Sequence, residues 1–223
     1  MTAIIMCTWK RINKLQQTID LLNIQTNKDF TFFIWNNNSS IVNQVNKLTE
    51  QYKWIFVKHS PTNVGGIGRF YYAREINDKY DKIIFIDDDQ IFKNTFVEDM
   101  LNNYEVKTIK SWYSWTFNSD DYFDRNKINN GENAHYCGTG ICLIDSSAFN
   151  NDELFNNIPS EYAFIEDLWL SYFVTNILNW KAKGLIGVWG QIQKDGKDQF
   201  SKLRNKKNEF LKYLIHKKQW KLT

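Results

Sequence analysis

Three adjacent aspartates, Asp87, Asp88 and Asp89, close the apolar run Ile83–Ile86 in KIIFIDDDQIF, and apolar character returns at Ile91. Aspartates after a strand form turns or cap the next helix. Carboxylates at i and i+2 of a tight turn can also converge on one hard cation. Mg2+ or Mn2+ favours oxygen ligands, and it takes few protein groups where substrate phosphates complete its shell. In that reading Asp87 and Asp89 hold the ion and Asp88 faces a sugar or ribose hydroxyl. The ion offsets charge building on a diphosphate leaving group.

A second acidic pair, Glu166 and Asp167, stands in FIEDLWLSYF. Ile165, Leu168 and Tyr172 turn one face inward and leave the two acids free. They are either decoration of a helix start, which the helix dipole favours, or a general base. In NVGGIGR, Gly65 and Gly66 permit close backbone approach, with Asn63 and Arg69 in reach of a ligand. Gly138, Thr139 and Gly140 form a small-residue stretch in HYCGTGICLID. Trp112, Tyr113 and Trp115 are of the type that stacks on sugars, with core packing the alternative for each. His135 is either a substrate or metal contact or a structural histidine.

Elements that must position these groups are legible in order. Strands are expected over residues 3–9, 30–37, 54–59 and 82–87, with helices between them carrying Leu15, Ile19 and Leu22, then Val42, Val45 and Leu48. Alternating strands and helices argue for a parallel sheet covered on both faces, whose ligands sit beyond the carboxyl ends of the strands. The three aspartates fall at that rim. After Lys107 the rhythm changes. TIKSWYSWTF and AHYCGTGICLID read as longer strands, EDLWLSYFVTNIL as a helix and WKAKGLIGVW as a last strand. A terminal helix offers Phe200, Leu203, Phe210 and Leu214 for packing. The expected organisation is one domain over 1–223, a nucleotide-type half (1–107) followed by a mixed half (108–223).

With 28 Lys and Arg against 25 Asp and Glu, the net charge of +3 gives no field for nucleic acid. Nothing approaches a membrane span, and MTAIIMCTWKR reads as a first strand rather than a signal peptide. Cys7, Cys137 and Cys142 are odd in number and irregularly spaced, which suits free thiols in a cytoplasmic protein. The basic terminal segment, with Lys202, Arg204, Lys206, Lys207, Lys217 and Lys218, is either a solvated face or a peripheral contact for a membrane or acidic glycan.

Taken in order, the strand–helix–strand start, WNNNSS, NVGGIGR, IIFIDDD and IEDLW resemble the family 2-like glycosyltransferases with the GT-A fold, over residues 3–190. The resemblance implies an α/β fold of GT-A (Rossmann-like) type, a mainly parallel sheet flanked by helices with a mixed C-terminal half. It implies a metal-dependent, inverting transfer of a sugar from a nucleotide diphosphate, UDP by expectation, to a hydroxyl of a glycan or glycoconjugate. The aspartate motif then binds Mn2+ or Mg2+ and the diphosphate, and Asp167 is the base with Glu166 beside sugar or acceptor. Thr8, Trp9 and Arg11 begin the nucleotide pocket. Asn36, Asn37 and Asn38 stand where the family usually has an aspartate on the base or ribose. Gly138, Thr139 and Gly140 lie beneath the sugar. Trp189 stands near the place of a metal-binding histidine in relatives, followed by Gly190, so no third protein ligand is evident.

Two other readings stay open. A nucleotidyltransferase also sets aspartates beyond an α/β sheet, but it predicts a glycine-rich loop after the first strand, where TWKRINKL has no glycine. A non-catalytic sugar- or nucleotide-binding module on the same fold needs no base.

Overall fold

The computed structural model describes residues 1–128, 131–193 and 200–222. Its first half alternates as expected: β1 (Thr2–Thr8), α1 (Ile12–Asn23), β2 (Thr31–Asn36), α2 (Val42–Thr49), β3 (Ile55–His59), α3 (Gly68–Ile76) and β4 (Lys82–Ile86). There follow β5 (Gln90–Phe92), α4 (Phe96–Leu101), β6 (Thr108–Ser111), β7 (Ser114–Phe117), β8 (Arg125–Ile128), β9 (Tyr136–Cys137) and β10 (Cys142–Asp145). The chain continues through α5 (Glu153–Asn156), α6 (Glu166–Tyr172), β11 (Lys181–Gly184), β12 (Gly190–Ile192) and α7 (Phe200–His216).

Seven strands form the central sheet in the order β11-β6-β10-β4-β1-β2-β3. The pairs β3–β2, β2–β1, β1–β4 and β6–β11 are parallel, and β10 runs antiparallel between β4 and β6. Strand alternation divides the core. Ala3, Ile5, Ile83 and Phe85 face one cluster with Phe70, Trp169 and Phe210. Ile4, Met6, Ile84 and Ile86 face the other with Leu15, Ile19, Val97 and Met100. Both faces being covered explains the unbroken apolar runs in β1 and β4. Among the described residues no helix is long and apolar enough to cross a membrane.

The two strands expected to be long are each broken. TIKSWYSWTF divides into β6 and β7, and AHYCGTGICLID into β9 and β10. They break side by side. The Ser111 hydroxyl donates to the Gly138 carbonyl, Trp112 N–H donates to Ile141 O at 3.0 Å, and Ile141 takes a left-handed φ of 52°. One half of each segment pairs in the central sheet, and the other joins the small sheet β8-β7-β9, whose edge strand β8 comes from the polar stretch between the two segments. The helix after Ile165 is α-helical to Tyr172 and widens to a π-turn over Phe173–Ile177. In α7, Phe210, Leu211 and Leu214 are fully buried. The expected packing of the Phe200 side chain lies outside the described residues.

Candidate active site

Parallel pairing of β1 with β4, with Met6 opposite Ile86, brings the ends of both strands to one rim. A cavity of about 590 Å3 opens there. Its walls carry Thr8 at the end of β1, Trp9 and Arg11 after it, and Asn63, Gly65 and Gly66 in the glycine turn. Arg69 of α3, Asp87, Asp88 and Asp89 after β4, and Glu166 at the start of α6 complete them. With Asn37 after β2, twelve residues singled out from the sequence thus converge on one space of the size that takes a small organic ligand.

Two arginines divide the aspartates. Arg69 donates to Asp87 Oδ1 at 2.9 Å and to the Thr139 carbonyl at 3.0 Å. Arg11 lies 2.8 Å from Asp88 Oδ1 and 3.3 Å from Asp89 Oδ2. Burial pushes the Asp88 carboxyl up against the pull of Arg11. Burial, with the charge of Asp87 adding to it, raises Asp89 to about 6. Glu166 is raised to about 7, by burial first, against the opposing charge of Arg69. Four carboxylates thus gather around two guanidiniums, with Lys10 in the wall and Lys14 also acting on Asp89.

Among the described residues no group of three or more His, Cys, Asp or Glu side chains could by itself hold a metal ion. The donor set nonetheless suits an ion whose shell is completed by phosphate: Asp87 and Asp89 both reach the cavity, and Arg69 engages Asp87 through Oδ1. Gln90 supports the turn by accepting the Asp87 N–H, and its own amide nitrogen is buried with no partner among the described residues.

Glu166 and Asp167 part company. Glu166 faces the cavity, 4.0 Å from Arg69 Nε and 3.4 Å from the Thr139 hydroxyl. Asp167 lies outside the cavity wall. Its Oδ2 accepts from the Tyr136 hydroxyl and from Lys207 Nζ at 2.7 Å, and its Oδ1 accepts the Leu168 N–H. Lys207 and these hydrogen bonds hold the Asp167 carboxyl below its usual range, although burial alone would raise it.

Gly66 is the glycine that the acidic pair requires. A methyl group built there overlaps the Glu166 carboxylate. Gly66→Ala is expected to displace that carboxylate, costing about 1–3 kcal/mol of stability from overpacking and roughly 10²-fold in turnover from misplacement. Denaturant unfolding and donor turnover measured on the same preparation check both effects.

Several anticipated contacts are used elsewhere. Asn36 donates to the Asn38 carbonyl and bonds His59, while Asn38 donates to Trp9 O and caps the turn at Ser40. Neither lines the cavity. Asn37 does, and it also ties β2 to the glycine turn by donating to Gly65 O and accepting the Val64 N–H. Gly138, Thr139 and Gly140 lie beneath the wall rather than in it. Thr139 holds Arg69, and a methyl group at Gly140 would overlap Asp87 and Gln90. His135 accepts the Phe117 N–H, a structural use. Trp112 and Trp115 pack against the core under Lys127 and Arg125, and Tyr113 packs on Trp112. Trp189 lies 6.0 Å from Lys93, and Gly190 packs against Ile141. Sequence reasoning missed Cys7, Lys10, Phe164 and Leu203 as wall residues. Phe164, two positions before Glu166, is exposed at the wall.

The sequence model described as Glycosyl transferase family 2 matches residues 3–136, more than half of the chain. The chain belongs to glycosyl transferase family 2. No curated protein matches it in sequence. Solved structures share the fold of this family 2 chain. S. aureus TarS 1–349 in complex with UDP-GlcNAc is 12% identical with a TM-score of 0.65, over 90% of this chain and 60% of that one. TarS 1–349 with UDP is 13% identical with a TM-score of 0.58, over 82% and 57%. The mannosyltransferase PcManGT of Pyrobaculum calidifontis, in complex with GDP-Man and Mn2+, is 8% identical with a TM-score of 0.67, over 100% and 65%. The chain therefore spans less than two thirds of the length of each of these proteins. The expected GT-A-type α/β fold, a largely parallel sheet flanked by helices, is what the structure has.

Proposed function

We propose that this family 2 chain transfers a sugar from a nucleotide diphosphate, UDP by preference, to a hydroxyl of a glycan or glycoconjugate in one inverting displacement assisted by Mn2+ or Mg2+. The observation that carries the proposal is the convergence of the aspartate motif, the glycine turn and Glu166 on one cavity. Asp87 and Asp89 would hold the ion, which when bound offsets charge on the diphosphate. Arg11 is placed to do the same for the nucleotide side, and Gly65 and Gly66 let backbone approach the ligand closely. Glu166 lines the same cavity as the aspartates, with the Arg69 guanidinium between it and Asp87. It is ionised above about pH 7 and still attracts a proton, so it serves as the base that takes the acceptor hydroxyl proton.

Asp167 is the second reading, favoured by the IEDLW resemblance. It requires Lys207 to give up the carboxylate oxygen it now holds. Donor preference for UDP is supported by the UDP complexes of TarS, and metal use by the Mn2+ complex of PcManGT. A non-catalytic module does not account for a buried carboxylate raised to about 7 in the wall of the same cavity.

Thermal denaturation with a panel of nucleotide sugars, each with and without Mn2+, tests the donor site. Occupancy at 100 times Kd stabilises by about 2.7 kcal/mol. One UDP-sugar is expected to stabilise the protein only with the metal, and Asp89→Ala is expected to lose that response. Stabilisation unchanged by the metal would remove the ion from the reading.

A further inference from the structure

Lys207 belongs to α7, beyond the segment that the family model matches, yet its ammonium lies 2.7 Å from Asp167 at the start of α6. It is only 8% exposed, and its Nζ lies 5.5 and 5.9 Å from the rings of Tyr122 and Tyr136. Leu203, one turn earlier on α7, reaches the cavity wall. The later turns of α7 are anchored by Phe210, Leu211 and Leu214, all fully buried. These apolar contacts, with Asn208 accepting the Tyr122 N–H and His216 beside Asp120, dock the helix independently of Lys207. A buried lysine is costly to desolvate, and the carboxylate that compensates it is the neighbour of Glu166.

We propose that the C-terminal helix is a working part of the catalytic site, and that Lys207, paired with Asp167, is a positioning residue fixing the start of α6 and the charge environment of Glu166. The inference rests on the reading of Glu166 as the base. Around Glu166 stand Arg69 of α3, Cys7 of β1, the Thr139 hydroxyl and the adjoining Asp167–Lys207 pair. Arg69 and Lys207 favour its ionised form, while Asp167 and burial oppose it. The two members of the pair therefore act on Glu166 with opposite sign.

The test is the titration of the Glu166 side-chain carboxyl, followed by 13C NMR on the full chain, together with the pH profile of UDP release from a UDP-sugar. Lys207→Met is expected to move the titration to higher pH, Lys207→Arg to restore it, and Asp167→Asn to move it lower. Should Lys207→Met fail to fold, the double variant Asp167→Asn/Lys207→Met leaves no orphaned buried charge, and it is expected to titrate above Asp167→Asn alone. A Glu166 titration that stays in place when Lys207 is replaced overturns the inference. A titration that shifts while the acid limb of the pH profile does not follow leaves the coupling standing and removes Glu166 as the base.

Discussion

Glu166→Gln is expected to lower turnover by about 10²–10⁴-fold, the range for loss of a general base, while leaving metal-dependent donor binding in place. The substitution keeps the shape, replaces one carboxylate oxygen with an amide donor, and removes the charge and with it the ability to accept a proton. The wild-type carboxyl is raised to about 7, so it is protonated and idle below that pH. Activity should therefore rise as pH rises through about 7, and the acid limb should disappear in the variant. Stability gives an independent check. A carboxyl whose folded value lies above its unfolded value of 4.5 binds protons more tightly when folded, so its contribution to stability falls as pH rises from 4.5 through 7. Glu166→Gln should thus melt higher than wild type at pH 8 and close to it at pH 5. A variant that retains turnover, set against an Asp167→Asn that abolishes it, would transfer the base to Asp167.

The difference between these two neighbours marks where sequence reasoning stops. IEDLW announces two acids at a helix start, and helical periodicity places both away from Ile165 and Leu168. It does not say which acid faces the cavity, because that depends on side chains distant in sequence. Gly66 makes room for Glu166, and Lys207 and Tyr136 draw Asp167 the other way. The aspartate motif was legible for the opposite reason. A parallel strand that is apolar on both faces and ends in charge has one place to put that charge. The asparagines show a third case. Their amide chemistry allowed a nucleobase contact, but Asn36 and Asn38 bond the local turn, a competition among short polar side chains that composition does not settle. The two broken strands have a similar cause. Trp112–Tyr113 and Gly138–Gly140 look like strand interiors until their side-by-side bend is seen, and that bend lets Thr139 lie under Arg69.

This makes Arg69 the joint between the two acidic clusters. Its side chain is 6% exposed. It donates to Asp87 Oδ1, to Thr139 O and at 3.3 Å to Gly66 O, and it lies 4.0 Å from Glu166 Oε1. Arg69→Met is expected to cost about 1–3 kcal/mol, the range for leaving buried polar groups unpaired, and less than a fully buried ion pair would cost because Asp87 is 40% exposed and screened by water. Methionine fills most of the volume, so the loss is electrostatic. Two carbonyls lose a donor, and Asp87 and Glu166 lose the cation between them. Urea unfolding measures this directly, and it should show a lower midpoint with the slope retained, because the same surface is exposed on unfolding. Mn2+ should recover part of the loss, since an ion at Asp87 and Asp89 returns positive charge to the cavity. It should leave the Thr139 and Gly66 carbonyls unserved, so recovery stays incomplete. A cost below about 1 kcal/mol, the scale of an exposed pair, would mean that water reaches this cluster and screens it. In that case the raised Glu166 carboxyl, which depends on the same exclusion of water, would lose its physical basis as well.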